Sequence, residues 1–361
     1  MQARPNDPFL GREILNGEFR IVQRIGTGGM GSVYRAEQPD MSRMVAIKIL
    51  HPKLTNRQDL ASRFRREARA MAQLNHPNTV KVFSYGELDD GSLYIVMEFL
   101  EGRNLNRAVK RDGPMTVERA VPILIQACGA LQEAHSMGII HRDLKPENIF
   151  LSKQMGIEEY PKLLDFGLAK VTEQQMRPGS VNLTQEGMVF GTPEFMSPEQ
   201  AQGHSLEATS DIYSLAVILY EALTGKLPFD AKSPMEYIQK HVVEPPIPLS
   251  ARVEGLKFPR GLDEVVAKAL SKSPKDRFQS AIEFAVALRP FGGDAGALVD
   301  SIFEMTPAPP SAALSAAMAS ATTHGTSQPR RPGLGLLVVV AVVCLLFGVA
   351  LAIGIMKILG K

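Results

Sequence analysis

The alternation of apolar and polar positions predicts β-strands in the first third of the chain. Five segments carry β-branched residues between glycine or polar breaks: FRIVQRIG (19–26), SVYRAEQ (32–38), MVAIKIL (44–50), TVKVFSYGEL (79–88) and SLYIVMEFL (92–100). Between them, RFRREARAMAQL (63–74) repeats apolar residues at helical spacing. We therefore expect a small β-rich lobe with one amphipathic helix.

Beyond residue 102 the apolar pattern becomes helical. Four segments show it: VERAVPILIQACGALQEAH (117–135), DIYSLAVILYEALTG (211–225), LDEVVAKALSK (262–272) and FQSAIEFAVAL (278–288). The second is apolar nearly all round, which indicates a buried helix. Pro122 interrupts the first, and we expect it to kink that helix or to displace its start. The pattern as a whole predicts an α+β fold with a larger helical lobe after the β-rich one.

The C-terminal region has a different character. Residues 304–332 are rich in Pro, Ala, Ser and Thr, which is typical of a flexible linker. Residues 334–356 carry no charge, and as a helix they would span about 34 Å, enough for a bilayer core of about 30 Å. A buried core helix is the alternative, but a terminal apolar run of this length favours a single transmembrane helix.

These patterns divide the chain into five regions. They are an N-terminal extension (1–18), a folded domain (19–289), a linker (290–332), a transmembrane helix (333–356) and a short tail (357–361). Within the span, Gly348 with Ala352 and Ala350 with Gly354 are small residues at four-residue spacing. Such spacing can pack two helices together, so a homodimer is an open alternative.

Composition narrows the function classes only slightly. The 361 residues are 45% hydrophobic and 22% charged, as in globular proteins. The net charge of +2 argues neither for nor against nucleic acid, which we do not expect as a partner. Cys128 and Cys344 form neither a zinc-binding spacing nor a disulfide framework. The N-terminus has no apolar run that would indicate a signal peptide.

A glycine-rich stretch, GTGGMGSV (26–33), suggests phosphate binding. Dinucleotide-binding folds use similar glycines, but there a helix follows; here another predicted strand follows, and Lys48 lies 17 residues after Gly31. A glycine hairpin over phosphates with a strand-borne lysine beneath favours phosphoryl transfer. Glu67, on the amphipathic helix, is the candidate partner for the ammonium group of Lys48. The alternative is that both are ordinary surface residues.

The segments HRDLKPEN (141–148) and DFG (165–167) follow in order. With them the chain resembles the eukaryotic-type (Hanks-type) transmembrane Ser/Thr protein kinases of bacteria. The resemblance covers residues 19–289 and implies a bilobal protein-kinase fold, with an N-lobe over 19–100 and a C-lobe over 101–289. It implies an enzyme that uses ATP and magnesium to phosphorylate Ser and Thr hydroxyls of proteins, and also its own activation segment.

The resemblance implies roles for four residues of these two motifs. Asp143 is expected to accept the proton of the substrate hydroxyl, and Lys145 to steady the transferring phosphoryl group. Asn148 and Asp165 are expected to hold Mg²⁺, with Mn²⁺ as an alternative, because both ions prefer oxygen ligands. With Lys48 and Glu67, these residues make up the expected catalytic set.

The resemblance also implies a nucleotide pocket. Met97 would be the gatekeeper, the Glu98 carbonyl and the Leu100 amide would bond adenine, and Asn104 would contact the ribose. The residues expected to bind ATP are Ile25, Gly26, Thr27, Gly28, Gly29, Met30, Gly31, Val33, Ala46, Lys48, Met97, Glu98, Leu100 and Asn104.

Structural contacts follow from the same resemblance. Asp211 is expected to bond the backbone of the catalytic loop, and Glu199 to pair with Arg277. A stacked apolar spine that joins the lobes is expected from His141, Phe166, Met71 and Val82.

The stretch LTQEGMVFGTPEFMSPE (183–199) corresponds to an activation segment. Thr184 is the expected phosphoacceptor, and a phosphate there could engage Arg142 next to the catalytic base. Glu186 stands where bacterial relatives often carry a second threonine, so it is either a built-in negative charge or a solvated loop residue. Thr192 is expected to contact the catalytic base and lysine.

Location follows from the chemistry. ATP and magnesium are cytosolic, so we expect a single-pass protein of the cell membrane with its kinase domain in the cytoplasm. Only five residues follow the span, so we expect the input to come from cytosolic partners or from clustering. The rival function is a catalytically weak, membrane-anchored pseudokinase scaffold.

Overall fold

The first lobe contains six antiparallel strands. The computed structural model describes residues 7–28, 31–50, 58–154, 156–166 and 192–293. The strands of this lobe are β1 (Glu13–Ile14), β2 (Phe19–Gly28), β3 (Gly31–Gln38), β4 (Arg43–Leu50), β5 (Val82–Glu87) and β6 (Leu93–Glu98). Their spatial order is β1-β2-β3-β4-β6-β5. Residues 13–14, which the sequence placed in an N-terminal extension, thus form the edge of this sheet.

Strand β4 is buried on both faces because its alternate side chains enter different clusters. On β4, Val45, Ile47 and Ile49 join a cluster on one face, which residues near the N-terminus help to cover. Ala46 and Leu50 point to the opposite face and join the main core of the molecule. This period of two is what the sequence pattern predicted for the strand.

Helix α1 (Gln58–Met71) packs against the main-core face of the sheet. Phe64, Ala68 and Met71 are buried, at the helical spacing that the sequence predicted. The predicted strand over 79–88 begins only at Val82, because Thr79 pairs with Leu163 in an isolated bridge to the second lobe.

The second lobe is mainly helical, as predicted. Its helices are α2 (Leu105–Asp112), α3 (Val117–Ser136), α4 (Pro198–Ala201), α5 (Ala208–Thr224), α6 (Pro234–Val243), α7 (Leu249–Arg252), α8 (Leu262–Ala269) and α9 (Ala281–Leu288). A three-stranded sheet of β7 (Gly102–Asn104), β8 (Ile149–Gln154) and β9 (Ile157–Leu163) accompanies them in the order β7-β8-β9.

Helix α5 is the buried axis of this lobe. From Thr209 to Thr224, every residue except Glu221 is buried. The Ser210 hydroxyl accepts from the Glu207 backbone amide at the start of the helix, and Gly225 ends it in a left-handed conformation (φ 68°) that favours glycine. The predicted buried helix is thus confirmed.

Pro122 does not displace the start of helix α3. The helix begins at Val117, five residues before the proline. Proline lacks the amide that would bond the carbonyl of Glu118, and Glu118 is exposed, in the first turn of the helix. Of the two expected effects of Pro122, the displaced start is wrong, and the kink stays a prediction.

The membrane expectation falls on residues 333–356, outside the described part of the chain. Among the residues that are described, no helix is both long and apolar enough to cross a bilayer. Residues 294–332 of the predicted linker and residues 167–191 of the activation segment also lie outside the described ranges.

Candidate active site

The catalytic loop brings three polar side chains together between α3 and β8. The ammonium group of Lys145 donates to Asp143 Oδ2 at 2.6 Å, and about a quarter of each side chain remains exposed. Asn148 Nδ2 donates to the backbone carbonyl of Asp143 at 2.7 Å. Lys145 therefore holds the carboxylate of Asp143 and Asn148 holds its backbone, while the carboxylate stays accessible to a substrate.

Asp211, at the start of α5, fixes the backbone of this loop. Its Oδ2 accepts from the amide of His141 at 2.8 Å and from His135 Nε2 at 2.7 Å, and its Oδ1 accepts from the amide of Arg142 at 3.0 Å. Burial would raise the pKa of Asp211, but these donors hold it below the usual value. The predicted bond between Asp211 and the loop backbone is confirmed.

The backbone of Arg142 explains why such an anchor is needed. Its φ of 70° is the left-handed conformation, which is uncommon for a residue with a side chain. Such a conformation costs about 1–3 kcal/mol and persists only where surrounding contacts impose it. The charge-assisted bond from the Arg142 amide to Asp211 is one such contact.

The residues of the predicted spine are buried, and two of them are in ring contact. His141 Nε2 donates to the Leu164 carbonyl at 2.8 Å, and the His141 ring lies 4.8 Å from the ring of Phe166. Met71 on α1 and Val82 on β5 are buried and belong to the same main core. All four residues of the predicted spine thus lie in the interior.

Lys48 faces the catalytic loop from β4. Its ammonium group donates to Asp165 Oδ1 at 2.7 Å. Burial would raise the pKa of Asp165, but the charge and hydrogen bond of Lys48 hold it below the usual value. The predicted pair of Lys48 with Glu67 is wrong for this structure, since Glu67 Oε1 instead lies 3.8 Å from the Arg66 guanidinium. A buried ammonium pairs with the nearest carboxylate, which here belongs to Asp165.

Asn148 and Asp165 lie on neighbouring backbone segments. The Leu164 amide donates to the Asn148 carbonyl at 2.9 Å, at the end of the β8–β9 pair. Because Asn148 Nδ2 is used by the loop, its Oδ1 is the atom that can bind a ligand. This amide oxygen and the Asp165 carboxylate are hard donors, which fit Mg²⁺. The predicted metal-binding pair is thus brought to one place.

Residues predicted to line the adenine pocket lie on β2, β3, β4 and β6. Ala46 and Met97 are register partners and both are buried, whereas Ile25 is 43% exposed. The Leu100 amide has no hydrogen-bond partner among the described residues, so it is an available donor. Asn104 Oδ1 accepts from the Arg107 amide and caps helix α2, a structural role beside the ribose contact that the resemblance implied.

The glycine-rich hairpin requires glycine at position 31. A Cβ atom there would lie 2.1 Å from the carbonyl oxygen of Ile49 and 2.8 Å from the Leu50 Cα. Such contacts cannot be relieved by turning a side chain, because both atoms belong to the backbone of β4. Gly29 and Met30, also predicted to bind ATP, lie outside the described residues.

Known proteins match this arrangement. The family model of the protein kinase domain matches residues 19–286. The chain belongs to the protein kinase family. A crystal structure of the PknI kinase domain of Mycobacterium tuberculosis is similar, with a TM-score of 0.60 at 28% identity, over 79% of this chain and 98% of that one.

Curated relatives of this kinase domain are bacterial Ser/Thr kinases of the Hanks type. The chain is 40% identical over 289 residues to the serine/threonine-protein kinase Pkn3 of Myxococcus xanthus, which covers 80% of this chain and 52% of the relative. It is 43% identical over 277 residues to the serine/threonine-protein kinase PknB of Mycobacterium tuberculosis, which covers 76% and 43%. The chain thus spans about half, or less, of the length of these relatives.

The ion pair between Glu199 and Arg277 holds the end of the segment 192–199, which follows residues 167–191 in the chain. Both guanidinium nitrogens of Arg277 lie 2.8 Å from Glu199 oxygens, in a bidentate pair almost without exposure. Burial would raise the pKa of Glu199, but Arg277 and Ser210 hold it below the usual value. The predicted pair is confirmed. Next to it, the hydroxyl of Ser197 accepts from the Gln200 amide and caps α4.

His241 on α6 is a part of the site that sequence reasoning missed. Its Nε2 lies 3.0 Å from the Glu194 carbonyl and its Nδ1 2.9 Å from the Tyr213 hydroxyl. Burial lowers the pKa of His241 to about 4, so the ring is neutral at pH 7. A carbonyl only accepts, so Nε2 carries the proton and the Tyr213 hydroxyl donates to Nδ1. His241 therefore ties α5 to the segment after Thr192.

One expected contact of that segment is not observed. Within the described ranges, no hydrogen bond joins the Thr192 hydroxyl to Asp143 or Lys145, although the resemblance implied one. The Phe195 carbonyl instead accepts from the Ser214 hydroxyl at 2.7 Å, and Gln200 Nε2 donates to the Arg142 carbonyl at 2.9 Å. The segment is thus anchored to α5 through the backbone of Phe195 and to the catalytic loop through the side chain of Gln200.

Glu221 on α5 has a raised pKa. Burial raises its pKa to about 7, with a contribution from the negative charges of Glu147 and Glu194 that Lys110 partly offsets. One oxygen of Glu147 accepts from Asn106, and the other is buried without a partner among the described residues. Ionisation of Glu221 therefore opposes folding.

We predict that Glu221→Gln stabilises the kinase domain only at higher pH. A carboxyl whose pKa rises on folding costs stability as the pH increases from about 4 through 7. The gain should be near zero at pH 4 and should level off above pH 8, at no more than about 3 kcal/mol. Urea unfolding across this pH range measures it.

Glu254→Gln is the matched control, because Glu254 is an exposed residue of the same lobe. Its difference from wild type should not change with pH. A Glu221→Gln variant whose stability also follows wild type at every pH would contradict the assignment.

Proposed function

We propose that this protein is an ATP- and Mg²⁺-dependent protein kinase that transfers the γ-phosphoryl group of ATP to Ser and Thr hydroxyls of proteins. The observation that carries the proposal is the pairing of Asp143 with Lys145, opposite Lys48 and Asp165. A base, two cations and hard oxygen ligands are what phosphoryl transfer requires. The names of the bacterial relatives support the Ser/Thr class.

The side chains of the catalytic loop would act on the acceptor hydroxyl. Its oxygen forms a bond to the γ-phosphorus while the bond between that phosphorus and the β-γ bridging oxygen breaks, and ADP leaves. Asp143 takes the hydroxyl proton, and the ammonium of Lys145 offsets negative charge on the phosphoryl oxygens. Lys48 would bind the phosphates from the β4 side.

Mg²⁺ would be held by Asn148 Oδ1 and the carboxylate of Asp165. When bound, the ion would offset the negative charge of the phosphates. Lys48 forms an ion pair with Asp165 here, so binding of ATP and Mg²⁺ would break this pair. Lys48 would then become available to the phosphates.

We also propose that the protein phosphorylates itself at Thr184. The proposal rests on the position of this threonine between the DFG motif and the segment 192–199. Arg142 next to the base is the cation that a phosphate there would engage, and a charge-assisted contact of this kind orders a loop.

Asp143→Asn should lower the rate of transfer of labelled phosphate from ATP to a protein substrate by at least about 1,000-fold, because it removes the proton acceptor. Mass spectrometry should find phosphate on Thr184 in the wild type and none in the variant. Unfolding curves of the two proteins should coincide within about 1 kcal/mol, since the substitution keeps size and shape.

Equal transfer by wild type and Asp143→Asn would contradict the proposed activity. Transfer absent from both, with binding of ATP retained, would favour the pseudokinase scaffold. Asp276→Asn, on an exposed turn of the same lobe, is the control and should act as the wild type does.

A membrane location is the last part of the proposal. The uncharged residues 334–356 and the Pro-rich linker before them support a single transmembrane helix. The kinase domain would face the cytoplasm, because ATP and magnesium are cytosolic. The proposal makes lipid a partner of residues 333–356 and leaves dimerisation through the small residues of the span as a further possibility to be tested.

The full chain, expressed in a bacterial cell, should sediment with membranes and resist extraction by salt and carbonate. A chain that ends at residue 332 should remain in the supernatant, because it lacks the apolar span. Both should phosphorylate a soluble substrate at the same rate in dilute detergent. A full chain in the supernatant would contradict the membrane location.

A further inference from the structure

The residues before the family match are built into the β-rich lobe. We call residues 7–14 the N-terminal strap. The amide of Gly11 donates to the Ile21 carbonyl at 3.0 Å, and the amide of Ile21 donates to the Arg12 carbonyl at 2.9 Å. Residues 13–14 continue as β1 and pair with β2. The family model begins only at residue 19, so the strap is an addition to the matched domain.

Asp7 joins the strap to both strands of the glycine-rich hairpin. Its side chain is only 4% exposed. Its carboxylate accepts from the Tyr34 hydroxyl on β3 at 3.1 Å and lies 3.1 Å from an Arg24 guanidinium nitrogen on β2. It also accepts from the Phe9 amide at 3.1 Å. Burial of a carboxylate costs free energy unless the group is paired and hydrogen-bonded. Here the three contacts together provide those partners for Asp7.

An aromatic contact adds to this connection. The centre of the Phe9 ring lies 5.7 Å from that of the Tyr34 ring, and the two rings are tilted, an arrangement that aromatic pairs favour. Tyr34 is 3% exposed and belongs to the cluster on the outer face of the sheet, against which Phe9 packs. The strap therefore covers apolar surface of the hairpin as well as binding its polar groups.

The place of contact lies at the base of the phosphate-binding part of the hairpin. Arg24 and Tyr34 are direct register partners, and the next partners are Gly26 with Val33. The register is irregular between Arg24 and Gly26, so the hairpin bends immediately beyond the point that Asp7 holds. At about 3.3 Å per residue, Gly26 lies about 7 Å further along the strand.

We propose that Asp7 is a positioning residue for ATP, which sets the angle of the glycine-rich hairpin over the nucleotide phosphates. The inference rests on the proposed ATP-dependent function. A hairpin held at its base needs less ordering when the nucleotide binds, so the strap increases affinity for ATP. Asp143 and Lys145 lie on a different lobe, so the chemical step does not depend on Asp7.

Substitutions at Asp7 should raise the KM for ATP and leave kcat unchanged. Asp7→Ala removes both bridges and should raise the KM about 10-fold, which corresponds to about 1.4 kcal/mol. Asp7→Asn keeps an acceptor for Tyr34 but loses the charge that pairs with Arg24, so its effect should be smaller. Tyr34→Phe keeps the ring contact with Phe9 and should also raise the KM modestly.

Glu37→Gln is the matched control. Arg20 and Glu37 are register partners that pair across the same two strands, but they are exposed and lie at the opposite end of the hairpin from the glycines. Removing this exposed pair should change neither constant.

The experiment uses the full chain with Mg²⁺ and a saturating protein substrate. Calorimetric titration with a non-hydrolysable ATP analogue measures nucleotide binding without turnover. A weaker Kd and a higher KM in the Asp7 variants, with kcat and the control unchanged, support the inference. A lower kcat in the Asp7 variants, with no change in KM or Kd, would indicate general destabilisation of the protein and would overturn the inference.

Failure of this inference differs from failure of the proposed function. If the wild type binds the analogue and transfers phosphate, but both Asp7 variants show wild-type KM and Kd, the inference alone is contradicted. If the wild type neither binds the analogue nor transfers phosphate, the proposed function is contradicted and the inference with it.

Discussion

The site depends most on one buried carboxylate, that of Asp211. It accepts hydrogen bonds from two backbone amides of the catalytic loop and from the imidazole of His135. The loop contains a residue, Arg142, in a left-handed conformation that it would not adopt alone. The helix that carries Asp211 is buried almost completely, so the anchor belongs to the packed core. The position of Asp143 follows from this arrangement.

The remaining contacts extend this anchor outwards. The ring of His141 packs on that of Phe166, which belongs to the main core that both lobes share. Glu199 and Arg277 hold the segment after the activation loop, and His241 attaches that segment to α5 through the Glu194 carbonyl. Each of the buried charges among these residues has a partner, as the cost of desolvation requires. The site is thus a set of polar anchors within an apolar core.

The sequence predicted the parts of this structure that local patterns determine. The strand around Lys48, the buried helix after Asp211 and the order of the two lobes follow from periodicity, and the catalytic loop follows from its motif. The partner of Lys48 was predicted incorrectly, because it depends on where α1 and Asp165 lie relative to β4. The contacts of His241 and Asp7 have no sequence signal, since each joins residues far apart in the chain through single side chains.

Amide hydrogen exchange at His141 and Arg142 tests the central role of Asp211 most directly. Both amides lie in a loop, outside any helix or strand of the described chain. If the carboxylate holds them, they should exchange as slowly as the core amides of α5 in the wild type, and much faster in Asp211→Asn. Rapid exchange of both amides in the wild-type protein would contradict the account.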